Sequence, residues 1–100
     1  MQIELPCTMR TNETITLPAY LMHNNGQDFY AIYAPDNMVN ICVWPTANAV
    51  HFKKSVVPSE FTTDGLMRIT EEQWYHAVAD FQAIINNALN TQPWYLLSAL

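Results

Sequence analysis

One hundred residues suffice for one domain with a buried core and leave no room for a second. Hydrophobic residues make up 50% of the chain and charged residues 13%, about half the share usual in a soluble domain, while nine Asn and nine Thr supply the remaining polarity. Four basic residues against nine acidic ones give a formal charge of −5, and only Lys53 and Lys54 are adjacent, so the basic stripe that direct nucleic-acid binding requires is missing.

At the N-terminus, Gln2 to Leu5 reads as an edge strand stopped by Pro6. No basic segment followed by an apolar run opens the chain, and no stretch reaches membrane-span length. Cys7 and Cys42 each lie in an apolar, strand-like stretch and read as small buried hydrophobes, which suits a reducing compartment; the expected location is cytoplasmic.

The strongest local signal is Asn24-Asn25-Gly26. It stands between two β-prone runs, Thr14 to His23 and Gln27 to Ala34, and suggests a hairpin closed by a type I′ turn at Asn25-Gly26. The resulting ladder pairs His23 with Asp28, Met22 with Phe29, Leu21 with Tyr30 and Tyr20 with Ala31. Side chains alternate across a strand, so one face carries Tyr20, Met22, Phe29, Ala31 and Tyr33, and the other Leu17, Ala19, Leu21, Tyr30, Ile32 and Ala34. Both faces are apolar and both need cover.

Ala34-Pro35-Asp36-Asn37 forms a second turn, followed by a third strand from Met38 to Trp44 that ends at Pro45. Ala47 to Val57 is open between a strand, on the alternation of Val50, Phe52 and Val56, and a short helix starting at Ala47-Asn48-Ala49. Asp64-Gly65 then turns the chain into a short strand, Leu66 to Ile69.

An amphipathic helix follows from about Glu71 to Leu89. Thr70 is its N-cap, Gln73 completes a capping box, and Ile69 can staple onto Trp74. Trp74, Ala77, Val78, Phe81, Ile85, Ala88 and Leu89 fall on one stripe, opposite Glu72, His76, Asp80, Ala83 and Asn87. Pro93 prevents continuation, and an apolar tail, 91–100, ends the chain. The expected fold is therefore a single α+β domain: an antiparallel β-meander of about four to five strands within residues 1–69, packed by one C-terminal amphipathic helix at 70–90. That helix covers one sheet face; the tail, a second copy or another protein is expected to cover the other.

No catalytic, cofactor-binding or metal-binding residue set emerges. Glu72, His76 and Asp80 have helical i, i+4 spacing, which suits ion pairs on a solvated face as well as metal ligation. His23 beside Asp28, or Cys42 with His51, would give two members of a catalytic set without the third. Gly26 and Gly65 are both taken by turns, so no phosphate-cradling loop can be written. By elimination the expectation is a non-enzymatic protein-interaction module, self-associating as a homodimer or serving as a subunit of a larger assembly, with no cofactor, no nucleic acid and no membrane. Its candidate interface residues are Tyr20, Tyr30, Tyr33, Trp94, Tyr95, Leu96 and Leu97. The alternative is a small acidic inhibitor or antitoxin-like protein that blocks a basic site on a larger target, and a third reading is a small hydrolase or metal-dependent enzyme.

Overall fold

The computed structural model describes residues 1–7 and 10–90. The chain forms β1 (Gln2–Cys7), β2 (Arg10–Thr16), β3 (Ala19–His23), β4 (Asp28–Ala34), β5 (Asn37–Trp44), a single 3-10 turn (Pro45–Ala47), β6 (Ala49–Ser55), β7 (Leu66–Ile69) and α1 (Glu71–Asn90). Five strands make an antiparallel sheet in the order β6-β5-β4-β3-β7, and β1 pairs with β2 in a separate two-stranded sheet. This is the expected α+β architecture, an antiparallel sheet packed by one C-terminal helix. Among the described residues, no helix is long and apolar enough to cross a membrane.

The run from Thr14 to His23 is not one strand. Pro18 has no N–H to offer a ladder, and at the cis Leu17–Pro18 peptide the chain leaves one sheet and enters the other. β1 likewise does not stop at Pro6; it continues to Cys7, with Ile3 opposite Ile15 and Leu5 opposite Glu13.

This hairpin supplies the cover that the sequence left open. Leu5 and Ile15 join Leu17, Ala19, Leu21, Ile32 and Met38 in one buried cluster, with Ile3, Tyr30, Val57, Phe61 and Leu66 packed around it. The second sheet face is thus closed by β1, β2 and the segment between β6 and β7. That segment must travel from one edge of the sheet to the other, and it crosses on the hairpin side. The Pro6 carbonyl anchors it there, accepting bonds from the Thr63 N–H at 3.0 Å and the Thr62 hydroxyl at 2.9 Å.

The β3–β4 ladder has the expected register, Met22 with Phe29, Leu21 with Tyr30 and Tyr20 with Ala31. Its turn differs. Outside glycine, Asn48 is the one described residue with positive φ, so Asn25 cannot occupy a type I′ position. Instead the Gly26 N–H donates to the His23 carbonyl at 2.9 Å, and Gly26 takes the positive φ of 73°. The Asn25 side-chain oxygen accepts the N–H groups of Gln27 and Asp28. Asn25 thus organises the loop through its amide, a role that needs no unusual backbone of its own.

Ala47 to Val57 resolves as the strand alternative: a 3-10 turn, Pro45–Ala47, ends where the short helix was expected to open, the chain reverses at Asn48 with φ 51°, and Ala49–Ser55 run as the edge strand β6.

Helix α1 begins with the capping box drawn in full. The Gln73 N–H donates to Thr70 Oγ1 at 3.1 Å and the Thr70 N–H to Gln73 Oε1 at 2.8 Å. Thr70→Ala should cost about 1 kcal/mol of stability, measurable by urea unfolding. The packed stripe is Trp74, Ala77, Val78, Phe81 and Ile84, against Ala31, Ile41 and Val43 of the sheet. Ala88 and Leu89, expected on that stripe, are exposed. Trp74 lies against Tyr20 of β3 and Phe81 against Phe52 of β6, so α1 crosses the strands. Twenty helical residues reach about 30 Å, further than five strands about 4.8 Å apart extend, so the last turns overhang.

Candidate functional site

Two groupings carry the polar and aromatic chemistry of the described residues. The first lies on the hairpin side of the sheet. The registers place Asp28 opposite Cys42 and Cys42 opposite His51, so these three residues form one row across β4, β5 and β6. Directly opposed residues in a sheet project to the same face. The sequence offered Cys42–His51 and His23–Asp28 as separate pairs; folding joins one member of the second pair to the first. His23 turns elsewhere, its Nδ1 accepting the Asn25 N–H at 3.1 Å, while the Asp28 carboxylate accepts the Asn25 side-chain amide at 2.9 Å.

The row favours a neutral thiol over a nucleophile. Cys42 is 4% exposed. Burial and then the hydrogen bond to the Asp28 carboxylate push its pKa up to about 11. A nucleophilic cysteine needs surroundings that stabilise the thiolate, and these do the reverse. In a Cys7→Ser background, Cys42 should therefore be alkylated by iodoacetamide at neutral pH at least about 100-fold more slowly than an ordinary thiol, the two-unit rise from 9.0 to about 11 setting the thiolate fraction. Asp28→Asn should recover part of that rate. Alkylation of the Cys7→Ser protein at the rate of a free thiol would contradict this account. Among the described residues, no three His, Cys, Asp or Glu side chains gather at metal-binding distance.

The second grouping is aromatic and lies where the start of α1 meets β3 and β4. Tyr20 stands edge-on to Tyr33, centroids 6.3 Å apart and planes at 83°, and packs on Trp74 at 6.1 Å. Burial raises the pKa of Tyr33, and the neighbouring Trp74 indole N–H opposes that rise. Burial also raises the pKa of Tyr20, reinforced by the nearby Glu71 carboxylate and by Tyr33 and Tyr75. Three phenols and one carboxylate thus share a small area, with Tyr33 39% and Tyr75 54% exposed.

Compared with models of known protein families, with curated proteins and with solved structures, the chain matches none.

The arrangement of the site therefore rests on its own residues. Of the expected interface residues, Tyr20 and Tyr33 belong to this patch. Tyr30 is on the opposite face, half-buried and edge-on to Phe61 at 5.4 Å. Trp94, Tyr95, Leu96 and Leu97 lie outside the described residues. Sequence reasoning placed neither Tyr75 nor Glu71 at a candidate site, Glu71 being read only as the start of the helix. One signal was available for Tyr75: it stands on α1 off the apolar stripe, an aromatic ring that the helix's own packing does not use.

Proposed function

We propose that this chain is a non-enzymatic protein-interaction module, a subunit of a larger assembly, and that it docks through the Tyr20–Tyr33–Tyr75 patch. The observation that carries the reading is the exposure of Tyr33 and Tyr75 beside Tyr20, where Tyr20 and Tyr33 are already held by their contacts with each other and with Trp74. Tyrosine is enriched at interface centres because it buries a large apolar ring while its hydroxyl stays satisfied. A surface fixed in advance also loses little entropy when a partner arrives. Scarce charge supports the same reading, since few groups need to shed water on association. The protonated Cys42 thiol speaks against thiol catalysis.

A second reading, homodimerisation, draws on the other edge of the sheet. Among the described residues, β6 is an unpaired edge of seven residues with Phe52 56% exposed, and such an edge can accept a strand from another copy. Solution mass by light scattering separates the two. An assembly that falls to 11.5 kDa in Tyr33→Ser/Tyr75→Ser and survives Phe52→Glu uses the tyrosine patch. The reverse pattern places self-association on β6 and removes it from the patch. A wild-type chain that stays at 11.5 kDa at every concentration and salt overturns self-association and makes the partner a different protein.

A further inference from the structure

We infer that the surface formed by Tyr33, Tyr75 and Glu71 receives a cationic side chain, arginine or lysine, presented by a different protein. The inference rests on the docking role of the patch and adds the chemistry of what docks there.

The rings come first. Tyr20 and Tyr33 meet at 83°, making two walls of a corner, and Tyr75 is exposed beside them. Aromatic faces attract a cation through their quadrupole, and an arginine or lysine can lay its aliphatic stem along such rings while its head remains near water. Glu71 supplies a formal negative charge next to the phenols. A guanidinium or ammonium there would meet ring faces, hydroxyl acceptors and a carboxylate together.

The opposite polarity fits less well. A helix N-terminus attracts anions, but Glu71 and Glu72 already occupy the first turn of α1 and the capping box uses the N–H of Gln73. An anion would also meet those two carboxylates.

The lysines of the chain stand away from the patch, and its described arginine has a partner on the hairpin. Lys53 and Lys54 stand on β6, at the far edge of the sheet from β3 and β7. Arg68 of β7 directs its guanidinium to the Thr14 carbonyl of the hairpin at 3.4 Å. A basic partner can supply the charge complement, and a chain of net −5 attracts basic partners at long range as well.

The test follows backbone amide shifts by NMR in the full-length chain, titrated with a capped tetra-arginine peptide and with its tetra-citrulline counterpart, which keeps the shape and removes the charge. The expected result is a saturable shift centred on Tyr33, Glu71 and Tyr75, weakened at least about fivefold with citrulline. Glu71→Gln and Tyr75→Leu should each weaken arginine binding about threefold, while Tyr75→Phe, which keeps the ring, should not. Equal shifts from both peptides would overturn the inference while leaving the patch as a docking surface. Shifts spread over Asp28, Glu60 and Asp80 would mean diffuse attraction by net charge, and would overturn it. No shift with tetra-arginine would overturn it too, while the mass measurements separately judge self-association through the patch. A homodimer dissolved by Lys53→Ser/Lys54→Ser together with Glu71→Gln would replace the foreign partner with a second copy.

Discussion

Replacing Ile15 with alanine is expected to destabilise the domain by about 2–5 kcal/mol, a large part of the 5–15 kcal/mol that holds a typical fold. Ile15 is 1% exposed and one of the two largest fully buried side chains, the other being Ile32 of the central strand. Both belong to the cluster between the N-terminal hairpin and the five-stranded sheet. Shortening Ile15 therefore removes apolar contact and leaves a void between two layers. In urea the unfolding midpoint should fall by roughly 1–4 M. Thr14→Ala, at an exposed neighbour on the same strand, should change stability by no more than about 0.5 kcal/mol. Were the hairpin not a structural layer, the two substitutions would cost the same.

Trp74→Ala should be costlier still, about 3–5 kcal/mol. Its ring is 3% exposed, packs on Tyr20, and lies with Ala77 against Ala31, Ile41 and Val43. Its indole N–H also opposes the rise that burial gives the Tyr33 pKa. Trp74→Phe separates the two contributions, retaining most of the packing and losing the indole N–H, and should cost less than the alanine variant by at least about 1 kcal/mol. Leu89→Ala, on the overhanging end of the same helix at 40% exposure, should cost less than about 1 kcal/mol. A Leu89 variant as damaging as Trp74→Ala would mean that the end of α1 is packed after all.

What could be read in the sequence was what neighbouring residues decide. Thr70 and Gln73 are three apart and bond to each other, so the start of α1 was legible. The pairing of Tyr20 with Ala31 was legible because a short loop fixes it, even though Asn25 closes that loop differently from the expected turn. The placing of β1 and β2 was not, because their buried side depends on contacts with β3, β4 and β5 that no local pattern encodes. Pro18 was a visible warning that Thr14 to His23 could not be one continuous strand.

The candidate site divides in the same way. Tyr20 and Tyr33 share a face by simple alternation along the hairpin. Tyr75 and Glu71 join them only once α1 has settled on the sheet, a tertiary outcome. The row Asp28–Cys42–His51 depends on two successive strand registers, one passing a bulge between Ile32 and Ala34, and sequence spacing alone does not give it.

The hold of the Pro6 carbonyl on Thr62 and Thr63 spans 56 and 57 residues of chain. A contact that distant carries a large loop-closure cost before it returns any stability, which slows folding. It also orders events during synthesis. β3 to β6 can pair as they leave the ribosome, but the strand that flanks β3, β7, is made only after the crossing segment. Until residue 69 has emerged, β3 has one edge open and the hairpin lacks the segment that fastens it. The nascent domain thus passes through an interval with apolar surface uncovered, when a holding chaperone would have most to bind.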